Sequence, residues 1–169
     1  FGYDTWANNS ADTMAAANAW AGVTYDPEVD HVYFVTSNPG NDYNGVLRPG
    51  DNLFSDSLIC VEAKTGKRVW HFQTVHHDIW NFDNPTAPVL MDVAIDGRRT
   101  PIVVQTTKQG FAYTFNRETG APIWPIVERP VAASDLPGEK LSPTQPFPTK
   151  PPAFERQGVA IDDLIDHAV

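Results

Sequence analysis

One stretch of this chain occurs twice, and no other feature limits its fold so tightly. Ala63-Lys64-Thr65-Gly66-Lys67-Arg68-Val69-Trp70 recurs in altered form as Asn116-Arg117-Glu118-Thr119-Gly120-Ala121-Pro122-Ile123-Trp124, with the second Thr-Gly 54 residues after the first. Each copy follows an apolar run (57–61, 111–115) and precedes another (69–72, 123–127). A glycine at a fixed turn position supplies positive φ between two strands, and the tryptophan packs from the outgoing strand. A hairpin repeated at this period is the signature of a propeller blade or another β array.

The segments between the copies also read as strands. His31-Val32-Tyr33-Phe34-Val35-Thr36-Ser37 and Pro101-Ile102-Val103-Val104-Gln105-Thr106-Thr107 are rich in β-branched and aromatic residues. Residues 89–94 lead into Ile95-Asp96-Gly97-Arg98, whose Asp-Gly pair predicts a tight hairpin. Helical periodicity is confined to the tail, where Ile161, Leu164, Ile165 and Ala168 fall on one face, so a short C-terminal helix is expected. Two regions read as irregular. Residues 38–56 form a long loop, and residues 129–152, with seven of the chain's fifteen prolines, are expected to be extended and to wrap a surface. The predicted class is all-β, with antiparallel four-stranded blades. A first blade region covers about 1–75, a second 76–128, and the proline-rich segment and tail 129–169. At roughly 50 residues per blade the chain supplies two to three blades, fewer than closure requires, so it is expected to be part of a longer polypeptide. Opening on Phe1 agrees with a processed or excised piece.

Composition narrows the partners. Lys and Arg total 12 against 21 Asp and Glu, giving a net charge of -9. That field repels polyphosphates, and no basic run overrides it, so nucleic acid is excluded as a partner. Nine Phe, five Trp and five Tyr argue against disorder. The apolar stretch 14–23 is too short to span a bilayer. Cys60 alone permits no internal disulfide and no cysteine metal site.

The densest cluster of chemistry-bearing side chains is His76-His77-Asp78-Ile79-Trp80-Asn81-Phe82-Asp83-Asn84-Pro85. Imidazoles, carboxylates and amides at this density suit ion binding or proton transfer. The plainer reading is a turn whose side chains bond their own backbone. Adjacent histidines on a strand point to opposite faces, so His76 and His77 do not form a two-histidine site.

Asp51-Asn52-Leu53-Phe54, the 63–70 repeat and His76-His77-Asp78-Ile79-Trp80 together resemble the pyrroloquinoline quinone (PQQ) dependent dehydrogenases. The likeness is greatest to the branch containing membrane-bound glucose and quinate dehydrogenases. Pro137-Gly138-Glu139 and Ser142-Pro143-Thr144-Gln145-Pro146 extend it over nearly the whole chain. The resemblance implies a slice of an eight-bladed β-propeller that holds PQQ and Ca2+ or Mg2+ near its axis. It implies hydride transfer from an alcohol, sugar or polyol to PQQ, with electrons leaving to a membrane quinone or a cytochrome. It also implies a periplasmic setting, possible membrane association through other parts of a parent chain, and packing against the remainder of the propeller.

By the same likeness, Trp20, in Ala17-Asn18-Ala19-Trp20-Ala21-Gly22, is the tryptophan that lies flat on PQQ, although a core tryptophan is an equal reading. Asn38, in Thr36-Ser37-Asn38-Pro39, is the amide ligand of the ion, although Asn-Pro also opens ordinary turns. Lys108 is the lysine that reaches the quinone oxygens, against the alternative of a solvated turn lysine. One position departs from the family. The catalytic aspartate after the motif tryptophan is here Asn81, and an amide does not accept a hydroxyl proton as a carboxylate does. Asp83 is the candidate replacement base, sharing a face with Asn81 if the segment is a strand, while Asn81 is left to hold ion or substrate. Two rival readings remain: a non-catalytic propeller acting as scaffold or binding module, and a small free-standing β domain with a His/Asp metal site.

Overall fold

The computed structural model describes residues 1–14 and 17–165. Nine strands form three sheets. Strands β1 (Val23–Asp26), β2 (His31–Val35), β3 (Ser57–Glu62) and β4 (Arg68–Gln73) make a four-stranded meander in that order. Strands β5 (Val89–Ile95), β6 (Arg98–Thr106) and β7 (Ala112–Asn116) make a three-stranded one, and β8 (Ile126–Pro130) pairs with β9 (Thr144–Pro148). All six strand pairings are antiparallel.

The turns form where the residues allow positive φ. Asp96 and Gly97 take φ of 50° and 74°, and Ile95 pairs with Arg98, so the Asp-Gly dipeptide makes the two-residue hairpin its chemistry favours. Gly66 and Gly120 occupy equivalent left-handed positions in the two repeat copies, with φ of 69° and 73°.

The copies then diverge. After the first, β4 pairs along β3. After the second, the chain meets β7 through a single Phe115–Pro122 bridge, in which the Asn116 amide donates to the Ala121 carbonyl and the Ile123 amide to the Thr114 carbonyl. Pro122 and Pro125 lack the N–H groups a continued ladder needs. The chain leaves as β8, and the proline-rich segment returns as β9 to pair with it. The expected irregular wrap at 129–152 is therefore partly a two-stranded ribbon, tolerated because prolines sit at the edge. The expected C-terminal helix is a single 3-10 turn, Ile161–Asp163, ended by the extended Leu164. Ile161, Leu164 and Ile165 are exposed and bury no face. Ala168, the last residue of the expected apolar face, lies outside the described residues.

Alternation on the strands builds the core. Tyr33 and Val35, Leu58 and Cys60, Trp70, then Tyr113 and Phe115 are buried together between the two larger sheets. Trp70 meets Phe115 at 5.8 Å and Phe72 meets Phe115 at 4.9 Å between ring centroids, so the first copy's tryptophan packs from the outgoing strand, whereas Trp124 lies in a bend ahead of β8. The Tyr33 hydroxyl and the Trp70 indole both donate to the Arg117 carbonyl, at 2.9 and 3.0 Å. The Arg117 guanidinium is buried and ion-pairs with Asp26, Glu28 and Asp92, tying the 26–28 turn of the first sheet to β5 of the second. Strand polarity sends the loops 36–56, 74–88 and 107–111 out at one end of the two sheets, which is where the candidate residues lie.

Candidate functional site

Three of the loop ends converge on one carboxylate. The Asn38 amide N–H, just beyond β2, donates to Asp83 Oδ1 at 3.0 Å. Lys108 Nζ, just beyond β6, donates to Asp83 Oδ2 at 2.7 Å. The same ammonium donates to Asn81 Oδ1 at 2.6 Å and to the Asn81 carbonyl at 3.0 Å, and Asn81 Nδ2 donates to Asp42 Oδ2 at 3.2 Å. Asn38, Asn81, Asp83 and Lys108 thus form one hydrogen-bonded chain.

The means differs from the expected one. Residues 79–85 are not a strand, and Asn81 has φ of 58°, so Asn81 and Asp83 are joined by Lys108 rather than by a shared strand face. Trp20 is not drawn into the chain. Trp20 is 55% exposed, and its indole makes no hydrogen bond and no aromatic ring pair with another described residue. Its segment is nevertheless clamped beside Asn38: the Asn18 amide donates to Ser37 Oγ at 3.0 Å and the Ser37 amide to the Asn18 carbonyl at 2.9 Å.

The neighbouring histidines diverge. His76 contacts Gln73 and Glu128, whereas His77 is buried between the Gly50 carbonyl at 2.7 Å and Glu139 Oε1 at 2.8 Å. Burial pushes the Glu139 carboxyl up, but hydrogen bonds from His77 and from the Gly45 amide outweigh it and hold the group below its usual range. Gly45 is required there, because a Cβ would lie 2.2 Å from His77 Nε2.

Beneath the site sit charged groups to which inspection of the sequence assigned no separate role, although Asp78 belongs to the cluster 76–85. Asp78 is buried, and burial raises its carboxyl to about 6 although the Trp80 and Phe82 amides both donate to it at 2.7 Å. Aspartate bonding its own backbone two residues on is a local pattern, so this contact was foreseeable in kind. Asp56 is fully buried, with neither carboxylate oxygen hydrogen-bonded among the described residues, and burial then Asp78 and Asp83 raise it well above the usual range. Arg48, also fully buried, donates to the carbonyls of Gly40, Asn41 and Asp78 and to Asn52 Oδ1. No local signal marks an arginine for such a role.

A cavity of about 410 Å³ adjoins Lys108, walled by Trp80, Phe82, Phe111, Phe147 and the tail 155–159. Among the described residues no three His, Cys, Asp or Glu side chains are grouped to hold a metal. These side chains alone therefore make no acidic or imidazole ion shell. The Asn38 side-chain oxygen accepts no hydrogen bond among the described residues and is the atom that could meet a hard cation, whereas its nitrogen, buried without a partner, is a donor and ligates none. The Lys108 ammonium suits a ligand with several anionic oxygens, whereas the Asp83 carboxylate beside it repels one.

Comparison with known proteins identifies the family along nearly the whole chain. Residues 2–169 match the family model described as PQQ, glucose/ethanol/alcohol dehydrogenase, beta-propeller domain. The chain is 35% identical over 152 residues to the quinate/shikimate dehydrogenase (quinone) of Acinetobacter baylyi, covering 89% of this chain and 19% of that protein. It is 34% identical over 136 residues to the quinoprotein glucose dehydrogenase of Escherichia coli, covering 80% and 17%. Among solved structures, the quinohemoprotein alcohol dehydrogenase ADHIIG of Pseudomonas putida HK5 superposes with a TM-score of 0.65 at 29% identity, covering 78% of this chain and 20% of that one. The chain thus spans about a fifth of the length of the curated relatives it matches. With its antiparallel blades, its repeat and its match over residues 2–169, the chain belongs to the β-propeller family of the PQQ-dependent dehydrogenases.

Proposed function

We propose that this chain supplies one wall of the PQQ site of a dehydrogenase that oxidises the CH–OH group of an alcohol, sugar or polyol. The observation that carries the proposal is the single network joining Asn38, Asp83, Lys108 and Asn81. When bound, PQQ supplies the two-electron acceptor and Ca2+ or Mg2+ the Lewis acid, with a membrane quinone or a cytochrome of the periplasm receiving the electrons.

The chain's own residues divide the remaining work. Each Asp83 oxygen accepts one hydrogen bond, which leaves a second lone pair on each for a substrate hydroxyl proton. Asp83 is accordingly the base, in place of the amide at Asn81. An ammonium has three N–H donors, and Lys108 uses all three on Asn81 and Asp83, so it would reach a quinone oxygen only by giving up an Asn81 contact. In that position it stabilises negative charge. Asn38 would present its amide oxygen to the ion, and Trp20, exposed on the segment that Asn18 ties to Ser37, would present a flat indole face.

The test uses the protein that carries this chain, reconstituted with PQQ and Ca2+. Asp83→Asn is expected to abolish alcohol-dependent dye reduction while the absorbance of bound PQQ remains. Unchanged turnover removes Asp83 as the base. Asn81 favours one second reading, a propeller that binds PQQ without turning over. Bound PQQ in the unmodified protein, with no dye reduction for any alcohol, sugar or polyol tried, selects that reading.

A further inference from the structure

Asn81 sits at the tip of a left-handed turn, with φ of 58°. The backbone amides on either side of it, Trp80 and Phe82, donate to the two different oxygens of Asp78. The carbonyl of Asp78 in turn accepts from Arg48, which also holds the carbonyls of Gly40 and Asn41. The next residue, Asp42, is the one that accepts from Asn81 Nδ2. A single buried guanidinium therefore fixes both sides of the Asn81–Asp42 contact. One carboxylate fixes the backbone that presents Asn81 and, one residue past Phe82, Asp83.

We propose that Asp78, backed by Arg48, is a positioning residue that sets where Asn81 and Asp83 stand relative to Lys108. The assignment rests on the dehydrogenase reading above for its consequence, though not for its geometry. Asp78 acts through the backbone, since it is fully buried and its side-chain oxygens are both taken by amides. Two acceptors on one side chain are needed. An asparagine offers one oxygen and turns an NH2 group toward the other amide, leaving one donor facing another.

In the PQQ- and Ca2+-loaded protein that carries this chain, Asp78→Asn is expected to lower kcat by roughly tenfold to a hundredfold, with KM and PQQ affinity held within about twofold. Retained kcat overturns the proposal. So does a parallel loss of kcat and PQQ binding, which assigns Asp78 to general folding. Amide hydrogen exchange gives a readout that needs no turnover and no variant. In the unmodified protein without PQQ, the Trp80 and Phe82 amides are expected to exchange slowly although they lie in a loop. Exchange of both at the unprotected rate overturns the proposal. In Asp78→Asn at least one of them is expected to exchange about tenfold faster or more. Protected amides freed by Asp78→Asn, in a protein that neither binds PQQ nor reduces dye, support the frame and remove the dehydrogenase reading.

Discussion

Asp56 shows how a single residue opposes the fold that holds it. Its carboxyl is fully buried without a hydrogen-bonding partner among the described residues, so its charged form is disfavoured and its folded pKa stands above the unfolded value near 3.8. A group shifted in that direction contributes stability that is complete below about pH 4 and is lost as pH rises toward the folded pKa. Asn at that position, where φ is 44° and suits asparagine, removes the loss. Asp56→Asn is therefore expected to stabilise the PQQ-free protein by about 1–3 kcal/mol at pH 7.5, and the gain should vanish near pH 4. Urea midpoints at the two pH values measure it, and a gain independent of pH contradicts the mechanism. Lys108→Met tests the opposite kind of residue. It leaves Asp83 and Asn81 without their shared donor and should weaken PQQ binding roughly tenfold in a titration followed by absorbance. Asn38, Lys108 and, as a replacement for Asn81, Asp83 were picked out through the family resemblance, whereas the roles of Asp56 and Arg48 were not legible in the sequence. A buried charge is defined by what surrounds it, and those neighbours arrive from other loops.

The two repeat copies carry glycine in the same left-handed turn, yet their surroundings differ. Nothing lies within 4 Å of a Cβ placed on Gly66, while one placed on Gly120 meets Trp70 ring carbons at 2.6 Å. Gly66→Ala therefore carries only the backbone cost, about 1 kcal/mol. Gly120→Ala adds a clash with the tryptophan of the first copy and should cost about 3 kcal/mol or more, seen as a lower thermal midpoint. Equal costs would show that the Gly120–Trp70 contact is not held. The repeat was legible because turn chemistry and alternation are local. The split fate of its outgoing strands was less so, because it depends on where β9 returns to meet β8.

Across the whole molecule the sheets are joined by more than apolar packing. Arg117 is buried with Asp26 and reaches Glu28 and Asp92, while its carbonyl receives Tyr33 and Trp70. Arg117→Ala leaves Asp26 buried without its counter-charge and is expected to destabilise the protein by about 3–5 kcal/mol, with a lower urea midpoint. An effect below about 1 kcal/mol would mean that the aromatic core alone sets the sheet pairing. Open edges on both larger sheets also predict that residues 1–169 expressed alone self-associate in size-exclusion chromatography. The same piece should give no PQQ-dependent dye reduction.

The strand segments, the hairpin at Asp96-Gly97 and the repeated turn followed from the sequence, because side-chain period and left-handed turn residues act over a few positions. Which groups meet at the site was decided only by the tertiary structure. Asp83 finds Lys108 and Asn38 across 25 and 45 residues, through irregular loops whose paths no local periodicity records. A hydrogen bond of that kind exists only once packing has fixed both ends, and packing is a property of the folded chain as a whole.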